Sequence, residues 1–373
     1  MKKRKYLFFI SNGLGEIEFL LPYLFCIKDQ LRKIDLLFLF ANKKLLNEVK
    51  QDEVWNNLLI ILNIEVKYIE DYDFNNNYLI KRIFRFITLP YKYLILSYFL
   101  AINKNILIEY GIERSKMCNY SSVFAKIFKK NLFAFPHTSN ADFLPDFKNI
   151  PPNTKFKDYE KLISIEKNSF SYNYYILGFK NQILVGNPRK NKIFKNFISN
   201  FEFLENQFIL ISSYRSVKQF FDQSVKEQHF INIYKLIRRH FGNIKVLIKC
   251  HPRENTNETL EIINKNNFIN IEITKSNSLI LSNHALCTIG FTTSGTYNSF
   301  YCGKPAINYF EYRRKFEEYT KNSLQYEFLK IKVAEDKCSL EDFLINLKEN
   351  KYIIPNFFEG YDNEIIFFDK KYS

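Results

Sequence analysis

The stretch Val246-Leu247-Ile248-Lys249-Cys250-His251-Pro252-Arg253 decides how this chain is read. A short apolar run closed by a proline turn predicts a buried strand ending at Lys249, with His251 and Arg253 just past its carboxyl end. The same design returns downstream, where a strand from Ala285 to Ile289 runs into Gly290-Phe291-Thr292-Thr293-Ser294-Gly295-Thr296, a small-residue turn that opens a helix. Both segments place polar groups at the carboxyl edge of a parallel sheet, the edge where open α/β sheets bind ligands. A histidine beside Arg253, together with a Thr/Ser/Gly turn, suits a phosphate diester or a diphosphate. The turn, Gly295 included, offers backbone N–H groups and the hydroxyls of Thr292, Thr293, Ser294 and Thr296, and the cations offset the charge.

Working outward, strands are predicted at Phe208–Ser212, Lys245–Lys249, Ile269–Thr274, Ala285–Ile289 and Pro305–Tyr309. Helices fall between them at 226–241, 258–265 and 296–302, and a late helix at 340–350 follows a capping-box pattern beginning at Ser339. The first half alternates in the same way. Its strands are Lys5–Ile10, Asp35–Phe40, Ile64–Ile69, Asn105–Glu109 and Leu132–Phe135, with a helix running to Arg32 and others near 81–103 and 121–130. Strands separated by helices predict parallel sheets covered on both faces. The Gly186-Asn187-Pro188 turn marks a junction between residues 1–185 and 186–373. The fold class expected is α/β, with two doubly wound (Rossmann-like) domains facing a cleft.

Composition agrees with that scale. The chain has 373 residues, enough for two ordinary α/β cores, and its 46% hydrophobic and 25% charged residues are globular proportions. A net charge of +15 points to an anionic partner, although a chain so rich in Lys, Asn, Ile, Phe and Tyr owes part of that charge to an AT-rich coding sequence. Nucleic acid is not expected, because no recognised module accompanies the basic residues. Cys26, Cys118, Cys250, Cys287, Cys302 and Cys338 show no CxxC pair or disulfide-like spacing, which predicts reduced thiols, no metal and no cofactor. The apolar run Tyr6–Ile10 is too short for a signal-peptide core, and no segment reaches the roughly 18 apolar residues of a spanning helix. A cytoplasmic protein is expected, with peripheral attachment to the inner face of the cytoplasmic membrane as an added possibility.

Further candidates lie at other strand ends. Gly13-Leu14-Gly15-Glu16 follows the first strand; it lacks the third glycine of a dinucleotide fingerprint, yet sits where its backbone could approach a substrate. Phe135-Pro136-His137-Thr138 follows a strand late in the first domain. His229 and His240 fall on a helix among charged residues, which predicts solvated surface positions, and His284 precedes a strand as a helix cap. That leaves His137 and His251 in matching strand-end positions, each able to act as a base or as a cation toward a leaving phosphate. The segment Lys81–Phe99 mixes cations and aromatics; an interfacial membrane helix and a core helix with a solvated basic face fit it equally.

His251-Pro252 after a strand, the Thr292–Thr296 turn and Gly303-Lys304-Pro305 together resemble the carboxyl-terminal domain of GT-B-fold transferases. The likeness is greatest to bacterial enzymes that use CMP- or CDP-activated donors: capsule-type sialyltransferases, Kdo transferases and CDP-glycerol glycerophosphotransferases. The chain departs from them in lacking a clear acidic Asp/Glu-Asp/Glu-Gly motif and in placing threonine after His137. The resemblance implies a metal-independent transferase that moves a sugar or polyol phosphate from a nucleotide-activated donor to a capsule or surface glycan, free or lipid-linked. In it His251 and the Thr292–Thr296 turn would hold the donor phosphate, and His137 becomes a candidate base. Beside these the chain itself offers Arg253 for the donor phosphate, Gly13 and Gly15 as an acceptor-side loop, and Glu16 as a second candidate for the acceptor proton. Two alternatives share the plan: a non-hydrolysing sugar-nucleotide 2-epimerase, and a non-catalytic scaffold at the membrane.

Overall fold

The computed structural model describes residues 4–11, 13–69, 78–110, 116–136, 161–164, 182–184, 188–203, 207–214, 216, 221–252, 254–291, 293, 295–311 and 332–353. They form two compact units, the first taking the described residues up to Phe194 and the second those from Lys195.

The first unit is built on seven parallel strands: β1 (Arg4–Ile10), β2 (Ile34–Phe40), β3 (Glu65–Tyr68), β4 (Asn105–Tyr110), β5 (Asn131–Pro136), β6 (Lys161–Ser164) and β7 (Gln182–Leu184). Their order across the sheet is β3-β2-β1-β4-β5-β6-β7. Helices α1 (Leu14–Cys26), α2 (Lys43–Gln51), α3 (Glu53–Ile61), α4 (Tyr78–Ile102) and α5 (Lys116–Ile127) connect them. Leu7, Phe9, Leu37, Leu39, Ile106 and Ile108 form one buried face of the sheet, covered by Leu96 and Leu100 of α4 and by Cys118 and Ala125 of α5. Intervening residues such as Phe8 and Phe38 are buried on the opposite face, so the strands read as continuous apolar runs.

Helix α6 (Lys192–Ser199) carries the boundary between the units. Val185 to Asn187, at the expected junction, lie outside the described residues. Pro188 to Phe194 belong to the first unit: the Phe194 ring meets Phe25 at 6.4 Å, and Arg189 lies 3.9 Å from Glu18.

The second unit holds six parallel strands: β8 (Phe208–Ser212), β9 (Lys245–Lys249), β10 (Ile271–Ile273), β11 (Cys287–Gly290), β12 (Ala306–Tyr309) and β13 (Lys332–Ala334). They are ordered β10-β9-β8-β11-β12-β13. Its helices are α7 (Gln223–Phe241), α8 (Thr256–Lys265), α9 (Ser278–His284), α10 (Gly295–Tyr301) and α11 (Lys337–Lys348). Ile209, Ile211, Val246, Ile248 and Ile289 face α7, α8 and α11, while Phe208, Leu210 and Leu247 face Leu281 of α9. Each fully buried side chain of this kind stabilises the fold by roughly 1.5–3 kcal/mol. In both sheets the first strand of the unit is central and the fourth lies on its other side. The strand order therefore reverses between β1 and β4, and again between β8 and β11, which marks a topological switch point in each unit.

Two expectations are corrected. His229 is not on the surface: it is fully buried, packed against Phe221, Phe291 and Tyr309, with Nδ1 2.9 Å from the Val225 carbonyl oxygen. Charged neighbours in sequence misplaced it, because some of them face other sides of the helix and one, Lys226, is itself buried against Glu254. Helix α11 begins at Lys337, capped by Asp336, whose carboxylate accepts the Ser339 amide at 2.6 Å, so Ser339 is inside the helix and not its cap. On α4, the described outward face carries apolar residues; the side chains of Arg82 and Arg85, on which a basic face would rest, lie outside the described residues.

Burial holds the His229 imidazole below its ordinary value of 6.5, partly opposed by the Val225 hydrogen bond and the charge of Glu311. Neutral His229 therefore contributes stability that is fully present above 6.5 and is lost as the pH falls, when the unfolded chain takes up a proton that the folded one resists. Thermal melts are expected to show a lower midpoint in mildly acid than in neutral buffer. His229→Gln should flatten that fall, and an unchanged slope would assign it to other groups.

Candidate functional site

The carboxyl ends of β9, β8, β11 and β12 lie side by side at the switch point of the second unit. β8, β9 and β11 stop where the sequence turns polar or small, whereas β12 runs on into the buried Phe310. β8 ends in Ser212-Ser213, β9 in Lys249-Cys250-His251, and β11 in Gly290 followed by Phe291 and Thr293.

The turn after β11 closes on the end of β8. The Phe291 amide donates to the Ser212 carbonyl at 3.1 Å, and the Ser212 and Thr293 hydroxyls lie 2.6 Å apart. Gly295 comes so near Ser212 that an added Cβ would stand 2.0 Å from its Oγ, and a Cβ on Gly290 would stand 2.3 Å from Thr296 Cγ2. Both glycines are thus required by close approach. The Thr296 hydroxyl donates to the Thr293 carbonyl at 2.9 Å and lies 3.3 Å from Asn308 Oδ1. The hydroxyls of Thr293 and Thr296, expected to face a phosphate, are buried and engaged within the turn; their part is to shape it. Thr292 and Ser294 lie outside the described residues. What Gly295 provides is close packing of the turn against Ser212 at the end of β8.

His251 stands on the other side of β8, and a buried carboxylate holds it there. Glu254 Oε2 accepts the His251 amide at 2.9 Å, and the Glu254 amide donates back to the His251 carbonyl at 2.8 Å. The second oxygen, Oε1, accepts from Ser213 Oγ at 3.0 Å, Thr259 Oγ1 at 2.6 Å and Lys226 Nζ at 2.6 Å. One side chain thereby joins β8, α7 and α8 to the loop after β9, and the Lys226–Glu254 pair is wholly buried. The Tyr214 ring meets the His251 ring edge-on at 5.2 Å. Cys250 is no nucleophile at neutral pH: burial, reinforced by the charge of Glu254, pushes its thiol up to about 12. Arg253 lies outside the described residues.

In the first unit, Gly13 caps α1 with φ +144°, a conformation that side chains rarely adopt, and Gly15 lies in the first turn of that helix. Glu16 is fully buried; its Oε2 accepts the Ser11 amide at 2.8 Å and its Oε1 the Ser11 hydroxyl at 3.3 Å. This carboxylate closes the β1–α1 turn. Across the switch point, Glu109 near the end of β4 is also buried. His137, directly after β5, lies outside the described residues. Among the described residues no group of His, Cys, Asp or Glu could hold a metal ion.

Sequence reasoning missed Ser212, Ser213, Tyr214, Glu254 and Lys226. The strand-end rule that found His251 would have found the first three. Glu254 follows Arg253 directly, but nothing local marks Lys226 as its partner.

No family model and no curated protein matches the sequence. Solved structures do match in fold. UDP-N-acetylglucosamine 2-epimerase from Rickettsia bellii is 15% identical, with 93% of this chain and 88% of that chain covered and a TM-score of 0.59. The Methanocaldococcus jannaschii UDP-GlcNAc 2-epimerase, solved with UDP-GlcNAc and UDP, is 13% identical, with 96% of each chain covered and a TM-score of 0.55. Anabaena HepE, solved with UDP and glucose, is 11% identical, with 93% of this chain and 91% of that chain covered and a TM-score of 0.52. The chain has the GT-B type of fold, two Rossmann-like units.

The buried pair generates a prediction. Glu254→Leu strands the Lys226 ammonium in an apolar interior and is expected to cost about 3–5 kcal/mol in chemical denaturation. Adding Lys226→Met should restore much of that loss, so that the two changes are strongly non-additive. Additive losses would show that the charges do not act as a pair.

Proposed function

We propose that the protein is an enzyme acting on a nucleotide-activated sugar or polyol, which binds by its phosphates at the carboxyl edge of the second sheet. The observation that carries this reading is the pairing of two phosphate-suited features on either side of β8. One is the glycine-tightened turn after β11; the other is His251, fixed by Glu254. Backbone N–H groups of the turn would bind phosphate oxygens, and His251 with Arg253 would offset charge developing on the departing phosphate.

The preferred activity is transfer to a capsule or other surface glycan, free or lipid-linked, from a CMP- or CDP-linked donor. The acceptor hydroxyl attacks the anomeric carbon of the sugar, or phosphorus in a polyol phosphate. The bond from that centre to the leaving phosphate oxygen breaks, and the nucleotide departs with the bonding electrons. His137 takes the acceptor proton, with Glu16 as the second candidate. A 2-epimerase is the alternative reading, supported by a specific observation: two solved proteins of this fold named above are UDP-GlcNAc 2-epimerases.

Saturation-transfer NMR against CMP, CDP and UDP separates the readings. Binding of CMP or CDP supports the transferase, UDP alone supports the epimerase, and no nucleotide binding removes both. With the nucleotide that binds, His251→Ala should lower affinity or turnover by roughly tenfold to a thousandfold while leaving the fold intact; unchanged kinetics would take His251 out of the site.

His137→Ala is expected to abolish most turnover with nucleotide affinity retained, because proton removal follows binding. A rise in the acceptor KM alone would give His137 an orienting role, and no effect on either constant would leave Glu16 as the base to test.

A further inference from the structure

The outward surface of α4 and α5 runs against the pattern of an ordinary surface helix. Leu96 and Leu100 point α4 into the sheet, so the opposite face should be polar. Instead it carries Tyr91, Leu94, Tyr98 and Ile102, spaced by three and four residues so that they fall in one stripe. On α5 and just beyond it, Val123, Ile127 and Phe128 are also turned outward. These apolar side chains are between 42% and 68% exposed.

The two helices form one surface. They cover the same sheet face, the Tyr93 and Tyr120 rings meet at 4.8 Å, and Lys130 Nζ donates to the Ala101 carbonyl at 2.6 Å. Their carboxyl ends therefore converge, and there the surface is cationic, with Lys104, Lys126 and Lys129 exposed. No acidic residue occurs from Phe74 to Ile108 or from Arg114 to Ala141. An apolar stripe with outward tyrosines, rimmed by lysines and without acidic residues in these stretches, is complementary to one kind of partner. The tyrosines and aliphatics suit the boundary of headgroups and acyl chains, and the lysines suit anionic headgroups.

We propose that α4 and α5 form a docking surface for an anionic lipid bilayer, with Leu94, Tyr98, Ile102 and Ile127 entering the headgroup boundary. The first unit then lies on the membrane by this face; among the described residues no helix is long and apolar enough to cross one. The proposal is independent of the reaction the protein performs.

The test is flotation of the full chain with vesicles of phosphatidylcholine alone and of phosphatidylcholine with phosphatidylglycerol. Binding is expected on the anionic vesicles and should weaken with added salt. The triple change Lys104→Gln, Lys126→Gln and Lys129→Gln should weaken it on the order of a hundredfold. The same number of changes at exposed lysines of the second unit, Lys235→Gln, Lys332→Gln and Lys348→Gln, should leave it near the parent value. Leu94→Ser with Tyr98→Ser and Ile102→Ser should also release the protein, with an unchanged melting midpoint showing that the fold is kept. The proposal is overturned by equal flotation on both vesicle types, by equal loss from the two lysine sets, or by absence of binding. It is equally overturned if the serine variant instead dissolves a concentration-dependent dimer that does not bind vesicles, which would assign the face to a second copy of the chain.

Discussion

The second unit depends on the satisfaction of one buried carboxylate. Glu254 has no solvent to share its charge, so its hydrogen-bond capacity must be met by protein. Four groups from four parts of the chain meet it: Ser213 after β8, Lys226 on α7, Thr259 on α8 and the amide of His251. Because a stranded charge in an apolar interior is so costly, these groups cannot drift apart independently. The position of His251 is therefore fixed through its backbone by an electrostatic requirement, while its ring meets Tyr214.

Much of the fold was legible because buried parallel strands advertise themselves. Phe208–Ser212 and Lys245–Lys249 coincide with their expected bounds, since a run such as Phe-Ile-Leu-Ile-Ser has no amphipathic alternative. Short or weakly apolar elements were not read. β6 and β7 have only four and three residues, β13 has three, and α2 and α3 carry mixed polar positions that no strand-end argument requires.

At the candidate site, local and non-local information separate cleanly. His251 and the turn from Gly290 were visible because each follows its own strand. The partner of Glu254 was not, because Lys226 lies 28 positions earlier on a helix whose surface residues look alike in sequence. The threonines illustrate a different limit: sequence shows that a hydroxyl exists, not which way it points. Thr293 and Thr296 turn theirs inward, to Ser212 and to the turn's own carbonyl, so the turn is stiffened by the groups that would otherwise advertise a ligand.

The contact between Ser212 and Thr293 joins positions 81 residues apart. A growing chain exposes β8, α7 and β9 before β11 has been made, and at that stage the turn cannot be in place. Closing so long a loop carries an entropic cost that neighbouring strands must offset. A ligand held there would bind only chains that had finished folding, and by mass action would draw partly folded ones toward that end point. Occupancy of the edge by any ligand would then act as a chemical chaperone, making the cellular level of the folded protein follow the supply of that ligand.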